Sequence, residues 1–227
     1  MRTVIILGTG TEVGKTYAAV QIAKAIEAHW AGVPVLAIKP IETGVVPGAI
    51  TDASKLAAAS RPLFEPTHAF SFEPPISPHL AARHAGSLID IEHVARWTNT
   101  YRARCAPDGW LVIETAGGVF SPINNTETNL ELAQALEPAC WVLIAADSLG
   151  VLHNVRATLL AMERLARAPD IVLLNSVAQV DCSAGTNRVE LERLGWARVT
   201  AQVERNGAFD ARDRTALVEE LTRAPQR

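Results

Sequence analysis

Residues 8–16 of the chain, GTGTEVGKT, combine three glycines with a lysine and a threonine, a set of residue types that suits phosphate binding. Glycines let the backbone turn tightly and point its N–H groups inward, where they can hold phosphate oxygens. Lys15 offers a positive charge for the β- and γ-phosphates, and Thr16 offers a hydroxyl for Mg²⁺. We therefore predict a phosphate-binding loop; the alternative is a glycine-rich turn with an incidental Lys-Thr pair.

The spacing of this loop departs from the common G-x-x-x-x-G-K-[ST] pattern. Gly8 and Gly14 enclose five residues, and Gly10 and Gly14 enclose three. An apolar run at residues 4–7 precedes the loop, and a helical pattern begins near Tyr17. Because strand, glycine loop and helix follow one another in the order that nucleotide binding requires, we predict a relative of the standard motif.

Four further polar residues are candidates for the same site. Lys39, Glu114 and Asn175 each follow an apolar run that predicts a buried strand, and ligands of open α/β sheets gather at the carboxyl ends of strands. Asp52 stands at the start of a predicted helix. Since Mg²⁺ prefers oxygen ligands, we predict that Thr16, Asp52 and Glu114 hold it. The alternatives are strand-end charges for Lys39 and Glu114, a helix N-cap for Asp52 and a turn residue for Asn175.

Apolar runs and helical spacings alternate along the chain, which indicates an α/β fold. The strands are predicted at residues 4–7, 35–38, 110–113, 141–145 and 171–174, with a weak one at 198–203. The helices are predicted at residues 17–29, about 51–60, 91–105, 128–136, 152–166, 187–194 and 213–222. We expect a P-loop NTPase-like, three-layer α/β/α fold with a mostly parallel central sheet, in which Lys39 lies beside the loop if the first two strands are neighbours.

A long ordered loop is predicted at residues 61–77, where several prolines interrupt any helical pattern. A loop of this length in a compact domain is more often functional than decorative. A helix is predicted to begin at His79. That histidine is either a ligand contact or an ordinary polar residue of a first helical turn.

Length, charge and cysteine content limit the remaining possibilities. The chain of 227 residues fits one domain, residues 1–227, which can bury a core without a disulfide or structural metal. A net charge of −3 offers no basic field, so we expect neither nucleic acid nor a membrane as a partner. Cys105, Cys140 and Cys182 form no metal-ligand pair, and they indicate reduced thiols in a cytoplasmic protein.

Four segments in order along the chain resemble the dethiobiotin synthetase family. They are GTGTEVGKT at 8–16, KPIETG at 39–44, FEPPISPHLAA at 72–82 and IETAGG at 113–118. The combination of K-P-x-x-T-G with S-P-H-x-A-A is the most specific part. The resemblance implies an ATP-dependent ligase that joins CO₂ to 7,8-diaminononanoate and closes a cyclic urea, with ATP converted to ADP and phosphate.

The resemblance also implies roles for individual residues. Lys39, Lys15 and Thr11 would be catalytic, and Thr11 and Thr43 would hydrogen-bond a substrate carbamate. Mg²⁺ would be held by Thr16, Asp52 and Glu114, and Asn175 would meet the adenine of ATP. The implied nucleotide-binding set is Glu12, Val13, Gly14, Lys15, Thr16, Tyr17, Asp52, Glu114, Thr115, Ala116, Gly117, Asn175 and Ser176.

In relatives, a helix start after the fourth core strand belongs to a dimer partner and receives the substrate carboxylate. The resemblance therefore implies a homodimer with the substrate site at its interface, to which Gly150, Val151, His153 and Asn154 would contribute. The family's Gly-x-x-Asn-His order is reversed here at His153-Asn154. Gly10 stands where many relatives carry Asp, and the family's Gly-x-x-Pro segment near the base is not visible around residues 199–203.

Two other functions fit the same sequence. The first is a ligase of this fold that acts on a different amine. The second is a nucleotide switch of the partitioning ATPase type, which binds partners rather than converting metabolites. That group carries an extra lysine early in its loop, at the place that Gly10 occupies here.

Overall fold

A computed structural model of the protein describes residues 1–105, 107–176, 181–204 and 207–223. The strands are β1 (Arg2–Gly8), β2 (Val35–Ile38), β3 (Ile41–Thr43), β4 (Phe70–Phe72), β5 (Trp110–Glu114), β6 (Cys140–Asp147), β7 (Ile171–Ser176) and β8 (Ala201–Val203). The helices are α1 (Lys15–His29), α2 (Asp52–Ala58), α3 (Pro78–His84), α4 (Ile91–Cys105), α5 (Asn129–Ala135), α6 (Val151–Leu165), α7 (Asn187–Arg193) and α8 (Ala211–Arg223).

The central sheet has the strand order β2-β5-β1-β6-β7-β8, and each neighbouring pair is parallel. β1 occupies the middle, where Ile5 lies opposite Ile113 of β5 and Trp141 of β6. Parallel neighbours need crossover connections, which the intervening helices supply. The predicted α/β class with a mostly parallel sheet is confirmed.

Hydrophobic side chains cover both faces of this sheet. Ile5 and Leu7 of β1 belong to one buried cluster, which also contains residues of α4 and α6. Val4 and Ile6 belong to a second cluster, which contains residues of α1 and α8. Since successive side chains of a strand point to opposite faces, the helices form separate layers on the two sides. The predicted three-layer arrangement is confirmed.

A second, small sheet occupies part of the region predicted as loop. β3 and β4 pair in parallel, with Glu42 opposite Ser71 and Thr43 opposite Phe72. The prediction of continuous loop at residues 61–77 was wrong there. Two strands of three residues are too short to produce a recognisable alternation of apolar and polar residues. Their pairing holds the segment after β2 in a fixed place.

The three cysteines are free thiols, and they differ in burial. Cys105 and Cys140 are buried free thiols, and Cys182 is an exposed free thiol. Burial raises the pKa of the Cys105 thiol to about 11. Throughout the part of the chain that the structure describes, each helix is too short or too polar to cross a membrane.

Candidate active site

A cavity of about 770 Å³ opens at the carboxyl ends of β1, β2 and β5. Most of the predicted loop, lysine and carboxylate residues line it together. The lining residues are Thr11, Glu12, Gly14, Lys15, Thr16, Tyr17, Val20, Lys39, Thr43, Asp52, Lys55, Pro75, Glu114, Ala116 and Gly117. Val20, Lys55 and Pro75 were not predicted: nothing in the local sequence distinguishes Val20 and Lys55 from ordinary surface residues, and Pro75 lies in one of the four segments but was given no role there.

The glycine loop passes directly into α1 through Gly14. This residue has φ +85, and an added Cβ would lie 1.9 Å from Nδ2 of Asn175, so only glycine fits. Lys15 is buried and donates from Nζ to the Gly10 carbonyl at 3.1 Å. Burial lowers the pKa of Lys15 to about 8 despite the nearby Glu114. An anion in the cavity would favour the charged ammonium again.

Lys39 joins two carboxylates at the floor of the cavity. Its Nζ donates to Oε1 of Glu114 at 2.8 Å and to Oδ2 of Asp52 at 2.7 Å. Burial alone would lower the pKa of Lys39, but the two carboxylates outweigh it and raise that pKa. β5 separates β2 from β1, so the strands that carry Lys39 and the loop are not neighbours. Glu114, at the end of β5, connects them instead.

Glu114 also contacts the loop side of the cavity. Its Oε1 accepts a hydrogen bond from Oγ1 of Thr16 at 2.9 Å. Complete burial raises the pKa of this carboxyl, and the nearby Lys39 opposes that shift. Its Oε2 is buried and has no hydrogen-bond partner within the described residues. Because a buried carboxylate oxygen without a partner is costly, this atom is suited to bind a cation.

Asp52 completes the predicted metal set at the mouth of the cavity. It is the first residue of α2, and Lys55 pairs with its Oδ1 at 2.9 Å. Burial opposes ionisation, but Lys39 lowers the pKa of Asp52 to about 2. The described residues contain no cluster of three His, Cys, Asp or Glu side chains with metal-binding geometry. The set of one hydroxyl and two carboxylates is the oxygen-rich, partial ligand set that Mg²⁺ uses together with water and phosphate.

Glu42 is a site-associated residue that the sequence did not reveal. It lies on β3 between Ile41 and Thr43, and it is 5% exposed. Alternation along β3 sends the Thr43 side chain to the cavity and the Glu42 side chain toward the start of α2. The only signal in the sequence was a carboxylate inside the K-P-x-x-T-G motif. A strand of three residues is too short to show from the sequence which way that side chain points.

Several predicted nucleotide-binding residues lie behind the loop instead of on the cavity wall. Asn175 is buried, and its Nδ2 donates to the Val13 carbonyl at 3.3 Å. Thr115 is buried and donates to the carbonyl of Ile6 at 2.9 Å. Ser176 is half-buried at the end of β7. In the structure Asn175 contacts the loop and Thr115 contacts β1, and a contact of Asn175 with adenine stays a prediction.

The start of α6 lies away from this cavity. Gly150 has φ +93 and precedes α6, Val151 is buried, and His153 and Asn154 are exposed. None of the four lines the cavity within the described part of the chain. These residues do not reach the cavity of their own chain, and their contact with substrate across a dimer interface stays a prediction.

Tyr17 and His79 border two different cavities. Tyr17 lines the cavity and donates its hydroxyl to the carbonyl of Gly207. His79 borders a separate cavity of about 260 Å³, and its Nδ1 is buried without a partner in the described residues. His79 therefore lies outside the site that contains Lys15 and Lys39.

The glycine loop between β1 and α1 and the parallel sheet define this chain as a protein of the P-loop nucleotide-binding class. A solved structure with a similar fold is a ParA family ATPase from Chlorobium tepidum TLS. The TM-score is 0.53 with 13% sequence identity, and the match covers 99% of this chain and 89% of that chain. At such low identity the likeness concerns the fold alone.

Sequence similarity defines the family more closely. A family profile described as an AAA domain matches residues 2–212. The ATP-dependent dethiobiotin synthetase BioD of Anaeromyxobacter dehalogenans (strain 2CP-1) is 35% identical over 200 residues, 86% of each chain. The protein of that name from Caulobacter sp. (strain K31) is 34% identical over 169 residues, 71% of this chain and 70% of that one. The chain therefore belongs to the ATP-dependent dethiobiotin synthetase family of carbon–nitrogen ligases, as its motifs predicted.

Proposed function

We propose that this protein catalyses the ATP- and Mg²⁺-dependent carboxylation and ring closure of 7,8-diaminononanoate with CO₂, which gives dethiobiotin, ADP and phosphate. The observation that carries the proposal is the shared cavity of Lys15, Lys39, Thr11 and Thr43 in a chain of this family. Such a cavity brings two ammonium groups and two hydroxyls around one small space, which suits a carbamate next to a terminal phosphate.

The first part of the reaction forms and activates a carbamate. One amine nitrogen of the substrate attacks the carbon of CO₂ and loses a proton. A carbamate oxygen then attacks the γ-phosphorus of ATP as the bond to ADP breaks, which gives a carbamic-phosphoric anhydride. Lys39 stabilises the carbamate and the transferring phosphoryl group, Lys15 binds the β- and γ-phosphate oxygens, and Thr11 and Thr43 hydrogen-bond the carbamate.

The second part closes the ring. The neighbouring amine attacks the carbonyl carbon of the anhydride and loses a proton, and the carbon–oxygen bond to phosphate breaks. Inorganic phosphate leaves, and the two nitrogens share one carbonyl carbon in the cyclic urea. The protein's contribution is to hold the reacting atoms in place and to stabilise negative charge, and no covalent enzyme intermediate is needed.

Mg²⁺ fits the residues that line the ATP side of the cavity. Thr16, Asp52 and Glu114 would hold it, and the buried Oε2 of Glu114 without a hydrogen-bond partner supports this assignment. When bound, the metal ion supplies positive charge to the phosphate oxygens. Lys39 keeps both carboxylates in place at the floor of the site.

The proposal also covers the position of ATP, the extent of the domain and the oligomer. We place ATP along Glu12, Gly14, Tyr17 and Gly117, which line the cavity. We also propose that residues 1–227 form one domain of a cytoplasmic enzyme. In this proposal the chain forms a homodimer in which the start of α6 from one chain receives the substrate carboxylate of the other.

Turnover with the proposed substrates tests this function. The purified chain, incubated with diaminononanoate, CO₂, ATP and Mg²⁺, should release phosphate and form dethiobiotin in equal amounts. The same activity is expected of Lys24→Ala, which removes an exposed lysine from α1 outside the cavity. Phosphate release no higher than with ATP alone would exclude the proposed reaction. Release with another diamine only would favour a ligase of this fold with a different substrate.

A further inference from the structure

Glu42 binds the beginning of the helix that carries Asp52. Its Oε1 accepts the backbone N–H of Asp52 at 2.7 Å, and its Oε2 accepts the backbone N–H of Ala53 at 3.1 Å. The first N–H groups of a helix have no partner within the helix, so they require an acceptor from elsewhere. A carboxylate is well suited because the N-terminal end of a helix carries partial positive charge.

The same interaction fixes the position of the Asp52 side chain. Asp52 is the first residue of α2, and its short side chain reaches Lys39 with an Oδ2–Nζ distance of 2.7 Å. A shift of its backbone therefore moves the carboxylate away from Lys39. Thr51 caps the same helix by accepting the N–H of Ser54 at 3.1 Å, which leaves the N–H groups of the next two residues to Glu42.

Glu42 is itself held in one orientation. The ring Nε2 of His68 donates to its Oε2 at 2.8 Å. The chain around His68 is fixed by two backbone bonds, because the N–H groups of Ala69 and Phe70 both donate to the carbonyl of Pro40 at 2.9 and 3.0 Å. The small β3-β4 sheet thus links the segment after Lys39 to the start of α2 through contacts that are buried or part-buried.

We propose that Glu42 is a positioning residue, whose carboxylate binds the N–H groups of Asp52 and Ala53 and so holds the Asp52 side chain in the metal- and phosphate-binding site. Glu42 lies within the motif between Lys39 and Thr43, but its side chain does not line the cavity. It acts on the reaction only through Asp52. The inference rests on the proposed function for its Mg²⁺-ATP chemistry.

Glu42→Gln tests this role, because the amide has nearly the same shape but keeps only one acceptor oxygen for two backbone N–H groups. Binding of ADP with Mg²⁺, measured by calorimetry, should weaken about 10- to 100-fold, as is typical when a group that orients a metal ligand is lost. Binding of ADP in EDTA should stay unchanged. His68→Ala, which leaves both backbone bonds of Glu42, should weaken Mg²⁺-ADP binding in the same direction but less, and it serves if Glu42→Gln does not fold.

Thr51→Ala is the matched control, since it removes a hydrogen bond from the same end of α2 without touching the N–H of Asp52. It should lower the melting temperature about as much as Glu42→Gln while leaving Mg²⁺-ADP binding unchanged. A double-mutant cycle with Asp52→Asn is the second control. In that background, Glu42→Gln should change Mg²⁺-ADP binding by less than about twofold, because the residue through which it acts is already altered.

Three results would overturn the inference. They are an equal effect of Thr51→Ala and Glu42→Gln on Mg²⁺-ADP binding, equal weakening of ADP binding with and without Mg²⁺, and a full effect of Glu42→Gln in the Asp52→Asn background. These measurements need no turnover. If the wild-type chain failed to make dethiobiotin, the proposed function would fall while the binding data still decided the role of Glu42.

Discussion

The ammonium group of Lys39 connects the two carboxylates of the site. In the structure it lies between Glu114, which is completely buried, and Asp52, which is part-exposed. A buried ion pair of this kind is weak evidence for stability, since removing charges from water costs about as much as the pairing returns. The pair instead holds an ammonium group at the cavity by means of two carboxylates, where the proposed carbamate and phosphate would meet it.

Lys39→Ala should separate chemistry from nucleotide binding. Loss of one group that stabilises developing charge lowers kcat by about 100- to 1000-fold. ADP affinity measured in EDTA should change little, because the loop and Lys15 remain. Turnover and calorimetry on the same preparation measure the two effects, with Lys24→Ala as the control for loss of a lysine charge. An equal decrease in nucleotide affinity and rate would remove Lys39 from the reaction centre.

Residue types and motif positions predicted which side chains meet in the cavity. They did not predict the buried contacts that support those side chains. Lys15, Thr16, Lys39, Asp52 and Glu114 were predicted from residue type and position, and the structure brings them together. The supporting contact of Glu42 with α2 depends on how a three-residue strand packs against a helix ten residues later, which local sequence does not specify. Asn175 was predicted at a strand end, but whether its amide faces a ligand or the loop depends on tertiary packing.

At the scale of elements, long periodic segments were predictable, and the two three-residue strands of the small sheet were not. The helix predicted at 91–105 is α4 (Ile91–Cys105), because fifteen residues give a clear amphipathic pattern. β3 and β4 have three residues each and were missed. The order of the strands in the sheet could not be predicted from local sequence either. The position of β5 between β2 and β1 comes from the packing of the whole sheet, and it places Glu114 between Lys39 and Thr16.

A buried carboxylate on α8 contacts the two elements that precede this helix. Both oxygens of Asp213 on α8 accept hydrogen bonds from Nη1 of Arg188 on α7 at 2.8 Å. The backbone N–H of Gln202 on β8 donates to Oδ2 at 2.7 Å. Arg188 has a second, weaker partner in Glu192, which lies 3.7 Å away and is exposed to solvent. Asp213 thus ties α7, β8 and α8 together.

Asp213→Ala should destabilise the fold by about 3 kcal/mol, because it leaves a guanidinium and a backbone N–H without their buried acceptor. Glu192→Ala removes the exposed partner of the same arginine and should change stability by about 0.5 kcal/mol or less. Urea unfolding followed by circular dichroism measures both. Similar midpoints for the two variants would show that the buried carboxylate does not join these elements.

At the scale of the whole molecule, the sheet gathers three strand ends into one cavity, and the start of α6 stays outside it. Residues at or just after the carboxyl ends of β1, β2 and β5 line the cavity, although they are far apart in sequence. A single chain therefore contains the groups proposed for phosphoryl transfer. The groups proposed to bind the substrate's distant carboxylate, at residues 150–154, would come from a second chain, and this remains a prediction.

The path of the oxygen atoms of CO₂ tests the proposed reaction most directly. In the proposed reaction a carbamate oxygen attacks the γ-phosphorus, and the carbon–oxygen bond breaks during ring closure. With ¹⁸O-labelled CO₂ in a reaction short enough to limit exchange with water, mass spectrometry should find one labelled oxygen in each phosphate and one in each dethiobiotin. Dethiobiotin formed together with unlabelled phosphate would contradict attack of a carbamate on ATP in the Lys15 and Lys39 cavity.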